Sequence, residues 1–255
     1  MARWRRGANL TLFLAALLVS ACATSTVSQQ NDKKAAAARN LGEAYLSEGN
    51  YPAALAELLK AQALNPDDPM LHNDLGLVYF AKEKTDLAVT HFERAVALKP
   101  DYSLAKNNLG SAYLVQEQWD KAIPVLEEVT GDMLYATPHF PLTNLGYAYY
   151  RKGDYTKAKQ YLKQALEIQP DFYNAQLNLG RTYLATGRLH SARSILETAA
   201  QTNPKDPVLL LELGRVYRLM GDYNSARLAL KGAIEYTEDA HLAVEASEEL
   251  QQLYQ

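Results

Sequence analysis

At 255 residues, 48% of them hydrophobic, the chain is long enough to bury a substantial core. A formal net charge of −3 argues against the basic field of a nucleic-acid binder, so no nucleic acid is expected as a partner. The single cysteine rules out an internal disulfide and a thiolate zinc cage.

The first segment reads as an export signal, residues 1–21. Arg3, Arg5 and Arg6 come without an acid, and Leu10 to Val19 form an apolar run too short to span a bilayer comfortably. Val19-Ser20-Ala21-Cys22 then resembles a bacterial lipobox: an aliphatic residue, two small residues and a cysteine. The resemblance implies that Cys22 is alkylated by diacylglycerol, becomes the mature N-terminus and gains a third acyl chain. Each buried methylene contributes about 0.8 kcal/mol, so several chains together anchor durably where one does not. The competing readings are an ordinary secretory signal, or a twin-arginine signal on Arg5-Arg6. Losing Arg3, Arg5 and Arg6 from 26 basic residues leaves 23 against 29 acidic ones. Ala23 stands where an aspartate commonly marks inner-membrane retention, so the outer membrane of a Gram-negative cell, periplasmic face, is the expected location. Residues 22–34, polar and without apolar periodicity, read as a flexible tether.

Beyond the tether the chain repeats itself. Gly42, Gly76, Gly110, Gly146, Gly180 and Gly214 are spaced by 34, 34, 36, 34 and 34 residues. Each follows a leucine and precedes a tyrosine by three residues, as in Leu75-Gly76 with Tyr79. Twelve residues beyond each glycine stands an alanine, from Ala54 to Ala226, and seven further on an alanine or Val129. This register resembles the tetratricopeptide repeat. It implies an all-α fold, a right-handed superhelical solenoid of six repeats: 35–68, 69–102, 103–138, 139–172, 173–206 and 207–240. Residues 241–255 are amphipathic and resemble a capping helix. The physical sense is plain. Gly and Ala let two antiparallel helices approach closely, and no unit buries its apolar face alone. These positions are scaffold and carry no functional role.

In this fold the first helix of each repeat lines a concave face. With the glycine as position 8, positions 2, 5, 9 and 12 are expected in the groove, with 6 and 13 nearby. Leu77, Phe80, Leu114, Tyr147 and Tyr150 would form one apolar strip there, fit for a helix or extended segment of another protein. The alternative is packing under neighbouring repeats. Position 6 carries Asn40, Asn108, Asn144 and Asn178, amides that can satisfy a peptide backbone or bond locally. Towards the C-terminus Arg151, Arg181, Arg215 and Arg218 turn the groove cationic, able to face a carboxylate or a lipid phosphate or to form a solvated helix face. The third unit is two residues longer, and Val129 to Pro141 replaces its helix end.

No metal-ligand spacing, nucleophile elbow or phosphate loop is present, so neither enzyme activity, metal nor cofactor is expected. The whole layout is similar to the pilotins of type IV pilus secretins: lipobox, tether, six repeats and the run Gly131 to Pro138. That resemblance implies a groove holding a secretin subunit, delivered to the outer membrane by the acyl chains on Cys22. A second class shares the anchor and the repeats: an adaptor for cell-wall enzymes or for porin assembly.

Overall fold

The computed structural model describes residues 29–254, all helix and turn, with no strand among them. The signal segment 1–21 and Cys22 lie outside the described residues. The expected tether needs correcting at its end: helix α1 spans 29–47, so residues 29–34 are helical. Gln29, Gln30, Lys33 and Lys34 are good helix formers leading into four alanines, and propensity carries the helix back past the apolar pattern.

The chain divides into two compact units, one up to Asn108 and one from Leu109. The first holds α1, α2 (Tyr51–Leu64), α3 (Pro69–Ala81), α4 (Thr85–Leu98) and the start of α5 (Ser103–Val115). The second holds the rest of α5, then α6 (Trp119–Thr130), α7 (His139–Arg151), α8 (Tyr155–Ile168) and α9 (Tyr173–Ala185). It continues with α10 (Leu189–Thr202), α11 (Pro207–Leu219), α12 (Tyr223–Tyr236) and α13 (Ala240–Gln251).

Helix pairs close on the glycines. A Cβ at Gly146 would lie 2.4 Å from Leu162 Cγ, so only glycine admits α8 against α7 at this distance. In unit 1 the same place at Gly76 is filled by Phe92 of α4. The repeated alanines are sealed: Ala54, Ala88, Ala122, Ala158, Ala192 and Ala226 expose nothing. Starts are capped by side chains, as when Asp206 accepts from Leu209 N at 2.8 Å. Four of the turns inside pairs use glycine with positive φ, Gly49, Gly153, Gly187 and Gly221, but Glu83 and Glu117 take the same left-handed conformation at φ 59° and 58°.

The third repeat breaks the rhythm as its sequence suggested. Residues 131–138 form turns between α6 and α7, and Met133 and Leu134 stand in solvent, 97% and 93% exposed.

Candidate functional site

In unit 2, α7 and α9 place their concave positions around a cavity of about 300 Å³. Phe140, Phe172 and Leu177 form its apolar wall. Phe140 and Phe172 meet edge to face, centroids 5.2 Å apart, and His139 packs on Phe172 at 4.9 Å. The polar wall is Thr143, Asn144, Asn174 and Asn178, with Tyr147 and Arg181 also lining the space.

The polar groups are not equally available. Asn144 donates to Ser111 Oγ at 2.9 Å, a bond to the preceding repeat. Arg181 Nε donates to Glu212 at 2.8 Å. Tyr147 Oη accepts from Arg151 at 2.8 Å; that guanidinium lies 4.8 Å over the Trp119 ring and donates to Glu117 at 2.9 Å. Tyr147 is thereby held in place at the cavity edge. Asn178 differs: it is nine-tenths buried, and no hydrogen bond reaches its side-chain amide among the described residues. Its amide offers two donors and an acceptor to whatever enters the cavity. With Asn174 exposed beside it, the wall can pair with a peptide main chain while a side chain fills the aromatic side.

Of the expected groove residues, this cavity gathers Asn144, Tyr147, Asn178 and Arg181. Phe140, Thr143, Asn174 and Leu177 join them. They occupy positions 2 and 5 of their repeats, so the rule that selected positions 9 and 12 also pointed to them. Phe172, just before α9, had no such signal.

The burial of Leu114 and the internal pairing of the arginines correct two parts of the expected groove, and Tyr150 keeps an intermediate exposure. Leu114 is buried rather than exposed on a strip, because an aliphatic side chain gains about 2 kcal/mol when covered. Tyr150 is half-buried against Tyr155, centroids 5.8 Å apart, and burial pushes its hydroxyl pKa up. The cationic end is neutralised from within. Arg215 bonds Glu245 at 2.5 Å and Glu249 at 3.0 Å, and Arg218 bonds Glu249 at 2.9 Å. Burial alone would lower the Arg215 pKa, but the bonds to Glu245 and Glu249 and the charge of Glu212 raise it. In unit 1 Leu77 and Phe80 are half-buried on α3, Asn40 is exposed, and Asn108 donates to Asn73 at 2.9 Å.

Among the described residues no three His, Cys, Asp or Glu side chains are grouped to hold a metal ion, and no helix is long and apolar enough to cross a membrane.

Three tetratricopeptide-repeat profiles match the chain, over residues 42–83, over 73–133, and over 149–200 with 187–247. Among solved structures, PilF of Pseudomonas aeruginosa is similar at 22% identity and TM-score 0.74, covering 86% of this chain and 99% of that one. PilW, a widely conserved type IV pilus biogenesis factor, is similar at 22% identity and TM-score 0.75, covering 87% and 98%. YrrB, a repeat protein with an unusual peptide-binding site, reaches 20% identity and TM-score 0.55, covering 75% and 97%. These likenesses are of fold. No curated protein matches the sequence.

Proposed function

The chain belongs to the tetratricopeptide-repeat family, and we propose from that premise that it is a scaffold gripping an extended segment of a partner protein in the unit-2 cavity. The observation that carries this reading is the Asn178 side chain, which lines the cavity beside Phe140 and Phe172 and makes no hydrogen bond to the described residues. An extended segment supplies what that wall lacks. Its N–H and C=O pair with the amide, and an apolar side chain enters between the rings.

The finer reading is a pilotin, an outer-membrane lipoprotein facing the periplasm whose partner is a subunit of the type IV pilus secretin. The fold likeness to PilF and PilW over nearly their whole lengths supports it, as do the lipobox at Cys22 and the run Gly131 to Pro138. Acyl chains on Cys22 would concentrate the protein in the membrane plane, where a modest groove affinity suffices. Binding energy and local concentration then bring secretin subunits together without a nucleotide.

A strain lacking the gene tests this. The pilotin reading expects loss of detergent-resistant secretin multimers and of surface pili. Complementation with Tyr147→Asp restores neither, although that variant melts within a few degrees of the wild type. Cys22→Ser folds but leaves the outer membrane. Multimers intact in the deletion strain, with altered cell wall or porins, would replace the pilotin by an adaptor. Multimers restored by Tyr147→Asp would remove the cavity as the grip.

A further inference from the structure

The second repeat, in unit 1, holds a carboxylate at position 6, where the three repeats after it hold an amide and the last holds Glu212, paired with Arg181 and Arg215. Position 6 is Asp74 there, against Asn108, Asn144 and Asn178. Asp74 is only 6% exposed. Its Oδ1 accepts one long bond, from Asn73 Nδ2 at 3.4 Å, and its buried Oδ2 accepts none. The cation facing it is Arg39, with Nη1 3.6 Å from that oxygen. The same guanidinium is shared. Its Nε is 3.5 Å from Asp68, its Nη1 is 3.9 Å from Glu43, and its Nη2 donates to Asn40 at 3.0 Å. One cation thus serves three carboxylates, none of them at the 2.7–2.9 Å of a good charge-assisted bond.

Burial pushes the Asp74 carboxyl up to about 6 despite the opposing charge of Arg39. At neutral pH the free protein therefore carries an ionised group that its surroundings disfavour. An asparagine, as in the three repeats that follow, would remove that penalty. A buried charge that costs the free protein stability, with only a shared and distant cation facing it, points to a counter-charge arriving from outside.

We propose that Asp74, with Arg39, Asp68 and Glu43, forms a subsite for a lysine or arginine side chain of a partner protein segment. The guest cation donates to Asp74 Oδ2, and Arg39 turns outward to Asp68 and the 62% exposed Glu43. The formal charge of −2 among these four groups becomes −1. Leu77, three residues along α3 and half-buried, shares the face of Asp74 and supplies an apolar wall for the aliphatic stem. All of these residues lie in unit 1, so the subsite is independent of the cavity between α7 and α9.

A random twelve-residue peptide library is selected in parallel on the full chain and on its Asp74→Asn variant, both held in mild detergent. Lysine or arginine is expected at one position of the wild-type pool, at least tenfold enriched over the Asp74→Asn pool. A recovered peptide should lose at least tenfold in affinity when that residue becomes norleucine, and tenfold again should not be lost on Asp74→Asn. Asp74→Asn should also melt above the wild type, which separates lost binding from lost folding. An empty pool, a pool without basic preference, or a preference that survives in Asp74→Asn overturns the proposal. None of these outcomes touches the secretin-multimer phenotype, which reports on the pilotin reading alone.

Discussion

Arg215 donates through Nε to Glu249 Oε1 at 3.0 Å, tying α11 to α13. The other oxygen of Glu249 accepts from Arg218 at 2.9 Å, so one carboxylate, 14% exposed, holds two guanidiniums. The last helix therefore does more than cover apolar surface. It supplies the anions that the arginines of the last repeat need. Glu249→Gln should lower stability by about 1–2 kcal/mol, since it leaves two partly buried cations without their acceptor charge. Urea unfolding followed by circular dichroism measures it, and an unchanged midpoint would show the network to be ornamental.

Gly146→Ala tests the close crossing of α7 and α8. The added methyl would fall 2.4 Å from Leu162 Cγ, so the leucine or the helix must shift. A loss of about 1–3 kcal/mol is expected from this overpacking. Leu162→Ala in the same chain should recover part of it, because the two changes occupy one space. Strictly additive losses would mean that the helices separate rather than collide.

The two strained glutamates should respond differently. Glu83 and Glu117 share a left-handed backbone that costs a residue with a Cβ about 1 kcal/mol. Glu117 is repaid in part by its bond to Arg151, which also fixes Tyr147. Glu83→Gly should accordingly raise the unfolding free energy by up to about 1 kcal/mol. Glu117→Gly should gain less and should loosen Tyr147, seen as faster ring flipping by NMR. Equal gains from both variants would deny Arg151 its positioning role.

In unit 1 the half-buried His91 and the buried Asp74 titrate with opposite effects on stability. His72 and His91 meet through their Nδ1 atoms at 3.0 Å, and burial together with the His72 ring pulls His91 down to about 4. Its folded pKa lies below the ordinary 6.5, so its stability contribution is present above pH 6.5 and lost as pH falls through 4. Asp74 runs the other way. Its folded pKa lies above 3.8, so its contribution is full below pH 3.8 and lost as pH rises through about 6.

Asp74→Asn should therefore stabilise the protein at pH 7 by at most about 3 kcal/mol, with the gain gone near pH 4. His91→Gln should flatten the acid-side loss between pH 6.5 and 4. Urea titrations across this range separate the two. A gain from Asp74→Asn that is the same at both pH values would mean that the carboxyl is not desolvated.

The repeat register was readable without coordinates because the packing that it encodes is local. Gly76, Leu75 and Tyr79 meet the helix that follows within a few tens of residues, and every unit restates the same contact. All-helical architecture follows from a face that closes only on its neighbour. The cavity residues were half readable, since positions 2 and 5 name Phe140, Thr143, Asn174 and Leu177 as surely as position 9 names Tyr147.

Which polar groups remain free was a matter for the tertiary structure. Asn108 and Asn144 carry the same amide as Asn178, but only the first two find partners in the preceding repeat, at Asn73 and Ser111. Arg181, Arg215 and Arg218 look like a ligand cluster in the chain, yet Glu212, Glu245 and Glu249 take them from about thirty residues away. Period and polarity decide which face a side chain occupies. Hydrogen bonds and ion pairs depend on ångström-scale distances between helices, and those distances exist only once the repeats have stacked.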